Sequence, residues 1–86
     1  MTVAELKRRL TPGTTLRLVE NFKGLCDKQR IVVQSNTRGV TFTGDGIDPA
    51  RPSWMPWPRA EELKDTPDGF AIVFVNGRVA ARYTWE

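Results

Sequence analysis

The stretch Phe70-Ala71-Ile72-Val73-Phe74-Val75-Asn76-Gly77-Arg78-Val79-Ala80-Ala81-Arg82-Tyr83-Thr84-Trp85 decides the fold. Two apolar runs flank Asn76-Gly77, a strong short-range hairpin signal, because a tight two-residue turn needs positive φ at its central residues. Such a turn sets the register: Val75 faces Arg78, Phe74 faces Val79, Ile72 faces Ala81 and Phe70 faces Tyr83. Opposed residues share a face, so Phe70, Ile72, Phe74, Val79, Ala81 and Tyr83 form one apolar side, which Trp85 extends. The other face carries Ala71, Val73, Val75 and Ala80 between Arg78 and Arg82. Its side chains are small to medium and too apolar to stand bare, which predicts a helix laid across it.

Upstream, the period of two continues. Leu16 and Leu18 share a face, Ile31 and Val33 do the same in Arg30–Gln34, and Val40-Thr41-Phe42-Thr43 alternates after the turn signal Asn36-Thr37-Arg38-Gly39. These runs predict a three-stranded antiparallel meander over 14–44. At the N-terminus, Thr2 and Glu5 have the spacing of a capping box, and Val3, Leu6 and Leu10 recur at helical spacing before Thr11-Pro12-Gly13 ends the helix. A helix of two turns does not persist alone in water, so residues 1–10 must dock on the sheet.

Residues 45–65 join the two halves. Gly44-Asp45-Gly46-Ile47-Asp48-Pro49 is a loop, and Pro52-Ser53-Trp54-Met55-Pro56-Trp57-Pro58 is a stiff extended strap, since each proline biases its predecessor away from helix. Pro58 suits the first position of a short helical turn, with Glu61 and Glu62 at its positive end and Lys64 at the other. Thr66-Pro67-Asp68-Gly69 then makes a type I turn into the hairpin 70–85. The expected fold is mainly β with one short N-terminal helix: a single small bent five-stranded antiparallel barrel spanning 1–86. This order resembles the Src-homology-3-like or Sm-like barrel layout. In its general character the chain resembles the compact accessory proteins of phages and other mobile elements, and that resemblance implies a role in modulating a host or viral protein.

Composition narrows the function classes. The chain has 86 residues, a net charge of +3, a single cysteine and no histidine. The commonest general base and commonest metal ligand are thus missing. Cys26 lacks an imidazole partner and cannot alone build a thiolate metal site. Asp45 and Asp48 fall on a glycine-rich loop without the further oxygen ligands a divalent cation needs, so they are assigned to turn chemistry. Glu61 and Glu62 are adjacent and diverge, which argues against an acid–base dyad. No apolar run reaches the roughly 20 residues of a membrane span, and no apolar stretch follows Lys7, Arg8 and Arg9 as a signal peptide requires. The chain therefore reads as a cytoplasmic, non-catalytic protein with no cofactor, no metal and no membrane segment.

The residues left to carry function are aromatic and basic. Trp54 and Trp57 sit on the strap with Arg51 and Arg59 beside it, and Trp and Arg are the residues most enriched where interface energy concentrates. These four residues are the expected contact set for a protein partner, with Trp54 turned inward as a lid and Trp57 partly displayed. The alternative is a small-barrel nucleic-acid binder with Arg17, Arg30, Arg38, Arg78 and Arg82 on phosphates. Whether the arginines gather on one face separates the two.

Overall fold

Leu16, Leu18, Phe42, Phe70 and Tyr83 point to one side of a single sheet, and the sheet curls around them. The computed structural model describes residues 1–86. It contains a helix α1 (Val3–Arg9) and strands β1 (Thr15–Asn21), β2 (Gly24–Ser35), β3 (Gly39–Gly44), β4 (Ser53–Pro56), β5 (Leu63–Thr66), β6 (Gly69–Val73) and β7 (Val79–Trp85), with a 3-10 turn at Ala60–Glu62. All pairs are antiparallel, in the order β4-β3-β2-β1-β7-β6-β5. The chain is thus mainly β with one short helix, as expected, but it has seven strands rather than five, and they form a half-barrel rather than a closed one.

The two additional strands come from segments with weak sequence signals. The strap is extended as its prolines require, and it joins the sheet as the edge strand β4, with Val40 opposite Met55 and Thr41 opposite Trp54. Gly39 permits this approach, because a Cβ there would lie 2.3 Å from the Met55 carbonyl oxygen and 2.8 Å from the Trp54 ring. β5 is short and polar apart from Leu63, and it pairs with β6 across the Pro67-Asp68 turn.

In the hairpin, Phe70 faces Tyr83 and Ile72 faces Ala81, as the register argument predicts. The turn differs. Only Gly77 takes positive φ, at 82°, and its amide donates to the Phe74 carbonyl, so the loop is three residues long and closes with Phe74 N–H to Arg78 O. This is the type I turn plus left-handed glycine of longer hairpins. The register then shifts between Ile72 and Val73, and Val73 faces Val79. The extra residue is Ala80 in β7, and Phe74, which closes the loop beyond the end of β6, is 49% exposed, while Val75 is fully exposed. A similar bulge at Val33 makes Val32 the buried residue of β2, in place of the expected Ile31 and Val33 pair.

Helix α1 begins as the sequence predicts, with the Thr2 hydroxyl accepting from Glu5 N–H at 3.1 Å. It lies on the concave face, not across Ala71, Val73, Val75 and Ala80. Leu6 and Leu10 are fully buried in one cluster with Leu16, Val32, Val40, Leu63 and Phe70. On the convex face Ala71 stands between Lys64 and Arg82 in neighbouring strands, and it is buried there without a helix. Two basic side chains of α1 rest on aromatic rings: Lys7 Nζ lies 5.8 Å from the Trp57 centroid and the Arg9 guanidinium 3.7 Å from that of Trp85. The helix thereby plugs the end of the half-barrel where β1 starts and β7 ends.

Candidate functional site

Past the helix, the concave face opens into a cavity of about 470 Å³ bounded by the strap on one side and by β1, β6 and β7 on the other. Phe42, Met55, Trp57, Ile72 and Tyr83 supply most of its apolar wall, and Phe22 and Trp54 stand at its rim. Trp54 does not turn inward as expected, and Trp57 is partly buried. Trp57 is the anchor: its backbone N–H donates to Arg38 O at 3.2 Å, its Nε1 donates to Asn36 O at 2.7 Å, and its ring packs against the core. Trp54 is 49% exposed, with its ring laid beside Gly39. The strand explains why Trp54 is the more exposed of the two. Trp54 is paired within β4 beside a glycine that offers it a resting surface, whereas Trp57 has left the strand and turns in under α1.

The arginines beside the strap do not join this cavity. Arg51 is exposed in the loop before β4, and Arg59 caps the 3-10 turn, with its N–H donating to Glu62 Oε1 at 2.7 Å, and lines a separate shallow groove with Phe74 and Val75. The arginines of the nucleic-acid alternative are not gathered either. Arg17 pairs with Asp27 at 2.7 Å and Glu86 at 2.9 Å, and Arg82 pairs with Glu20 at 3.2 Å. The hydrogen bond and charge of Asp27, with Glu86 assisting, hold the Arg17 guanidinium above its ordinary pKa. Arg38 and Arg78 lie in turns at opposite ends of the sheet, one after β2 and the other before β7. Arg30 alone lines the cavity.

The acidic residues of the loops perform local tasks. Asp45 Oδ2 accepts from Gln29 N–H at 2.9 Å and Asp48 Oδ1 accepts from Ala50 N–H at 2.9 Å. Cys26 Sγ donates to the Leu18 carbonyl at 3.6 Å. Asp65 pairs with the Met1 ammonium, which raises the pKa of that amino group through the hydrogen bond chiefly.

Sequence reasoning placed Tyr83 in the core and missed its second role as a polar group in the cavity wall. Tyr83 stacks between Phe42 and Phe70, with ring centroids 5.9 and 5.1 Å away. Burial pushes its hydroxyl up to about 12, against a smaller opposite pull from the Arg30 charge and a slight push from Cys26. The group therefore stays a protonated donor at neutral pH. A folded pKa above the unfolded value of about 10 means that the native state holds its proton more tightly, so stability falls as pH rises between about 10 and 12. That loss amounts to about 2–3 kcal/mol. Tyr83 is the only tyrosine, so phenolate absorbance reports it alone. The native chain is expected to titrate near pH 12 and the urea-unfolded chain near pH 10; coincident curves would contradict the burial of this hydroxyl.

No protein-family model matches the chain, and no curated protein and no solved structure matches it.

Proposed function

We propose that the chain is a non-catalytic binding module that takes a side chain or short segment of a protein partner into the cavity beside the strap. The observation that carries this reading is the concave opening itself: an apolar cavity of about 470 Å³, with a pinned Trp57 in its wall and a half-exposed Trp54 at its rim. A rigid aromatic wall with a displayed tryptophan beside it is the arrangement in which binding energy concentrates. The distribution of the arginines favours this reading over nucleic acid, because several unpaired cations on one face are needed to track a phosphate backbone. A cytoplasmic modulator of a host or viral protein, of the kind phages and mobile elements encode, is the setting we propose.

Recognition through side chains, and not by strand addition, follows from the sheet edges. β4 is bracketed by Pro52, Pro56 and Pro58, which lack the N–H groups an added strand needs, and β5 carries the Met1 ammonium on Asp65.

The test separates Trp54 from Trp57. Trp54→Ala is expected to leave folding nearly intact and to weaken capture of a partner from nuclease-treated host lysate by roughly 30-fold or more, the size of a hot-spot loss. Trp57→Ala is expected to lower the melting temperature through lost packing and the lost Nε1 bond. In the single Trp→Phe variants, acrylamide should quench Trp54 more strongly than Trp57. Equal capture by Trp54→Ala and the parent chain would rule out the rim as the contact surface, and capture lost on nuclease treatment would favour nucleic acid.

A further inference from the structure

Two hydrogen-bond donors in the cavity wall have capacity that the protein does not use. Tyr83 is only 6% exposed, yet its hydroxyl reaches no oxygen or nitrogen, only Met55 Sδ at 4.0 Å, a weak acceptor. A buried hydroxyl without a proper partner is uncommon and costly in a native fold. Arg30 is half-buried and forms no ion pair. Both of its hydrogen bonds leave from Nη1, to Gln29 O at 2.9 Å and Asp45 O at 2.8 Å, so the guanidinium is held in place while Nε and Nη2 remain free. Register explains why this cation faces the apolar side: Arg30 stands opposite Leu16 and two residues from the buried Val32. The one carboxylate lining the cavity, Glu62, already accepts from Arg59 N–H. Apolar walls with an unused hydroxyl donor and a fixed, unpaired guanidinium call for a ligand that is apolar along its body and anionic at one end.

We propose that this cavity is a binding site for a carboxylate carried on an apolar body. The body lies against Phe42, Met55, Trp57 and Ile72, and the carboxylate accepts from the Tyr83 hydroxyl and the free guanidinium nitrogens of Arg30. The proposal rests on the binding-module reading and adds its ligand class. A free organic acid and the C-terminal residue of a partner chain offer the same chemistry.

The experiment is a titration of the full chain with 4-phenylbutanoate and 4-phenylbutanamide, followed by tryptophan fluorescence and backbone amide shifts. A parallel pair of short peptides ends in phenylalanine with a free or an amidated C-terminus. In at least one pair the acid is expected to bind roughly tenfold tighter than its neutral partner, as a charge-assisted hydrogen bond provides. Tyr83→Phe keeps the stacked ring and removes the donor, and it is expected to reduce that preference roughly fivefold. Arg30→Gln is expected to abolish it while leaving the neutral compounds within about twofold of the parent affinity. A preference confined to the peptide pair assigns the site to a chain terminus, and one confined to the small acid assigns it to a free organic acid. Equal affinity for acid and amide in both pairs, or binding by none of the four compounds, overturns the proposal. Should Arg30→Gln fail to fold, Tyr83→Phe decides alone, and an unchanged acid preference in it counts against the assignment. Trp54-dependent partner capture together with no acid preference would leave the binding module standing and remove only the carboxylate.

Discussion

Phe70→Ala is expected to destabilise the chain by about 3–5 kcal/mol, whereas Phe74→Ala is expected to cost about 1 kcal/mol or less. Both phenylalanines belong to the segment that decides the fold, and a regular two-residue hairpin would put both inside. The three-residue turn separates them. Phe70 is fully buried, with its ring centroid 5.1 Å from that of Tyr83 and 5.2 Å from that of Trp85. Removing it leaves a cavity in the central cluster beside Tyr83 and Trp85. Phe74 is half-exposed and packs at the edge of a shallow groove. A domain of this size has a total stability on the order of 5–10 kcal/mol, so Phe70→Ala consumes much of it. Urea unfolding of the two variants checks the contrast through the midpoint at constant slope. Equal midpoints for the two variants would mean that the hairpin does not carry the turn described here.

The parts of the fold legible in the sequence are those where local signals and register act together. Thr2 and Glu5 mark the helix start, Asn36–Gly39 marks a turn, and the pairs Phe70–Tyr83 and Ile72–Ala81 follow from the spacing around Asn76-Gly77. The parts that were not legible trace to single-residue insertions. A bulge flips every following side chain to the other face, and it has no compositional signal. The shift between Val32 and Gln34 exchanges Val33 for Val32 in the core and places Arg30 on the cavity side. The shift after Ile72 inserts Ala80 into β7 and brings Val79 opposite Val73, while Phe74 closes the three-residue loop at the exposed tip of the hairpin. The strap posed a different difficulty. Its extended backbone is read directly from its prolines, but the orientation of its rings depends on Gly39, a residue of another strand, and on Asn36 O, a group of a turn. The candidate site was therefore only partly visible. The strap's prolines mark both tryptophans, but Trp54 faces outward where an inward lid is expected, Arg30 is legible only as a phosphate contact, and Tyr83 only as packing.

The second large effect concerns α1. Replacing Leu6 and Leu10 together by alanine is expected to unfold the chain or leave it without fixed tertiary packing. Each leucine is fully buried in the central cluster, and a buried Leu→Ala change costs about 2–5 kcal/mol. Summed over two neighbouring sites, the loss reaches the whole stability of a domain this small. The position of the helix makes the effect larger than its seven residues suggest. A helix resting on the convex face would leave the concave core intact when removed. Here α1 fills the hollow of an open half-barrel, where no strand closes the gap between β4 and β5. Without it, Leu16, Val32, Val40, Leu63 and Phe70 lose one side of their packing and face water. The rings of Trp57 and Trp85 also lose their cation contacts with Lys7 and Arg9, worth about 0.5–1 kcal/mol each where exposed. Far- and near-ultraviolet circular dichroism with a hydrophobic dye test this directly: retained strand signal, lost aromatic signal and strong dye binding are the expected outcome. A double variant that melts with the parent chain would show that the sheet closes on itself without the helix. The helix also ties stability to the candidate site, since Trp57 lies between α1 and the cavity, so loosening the plug is expected to loosen the cavity wall.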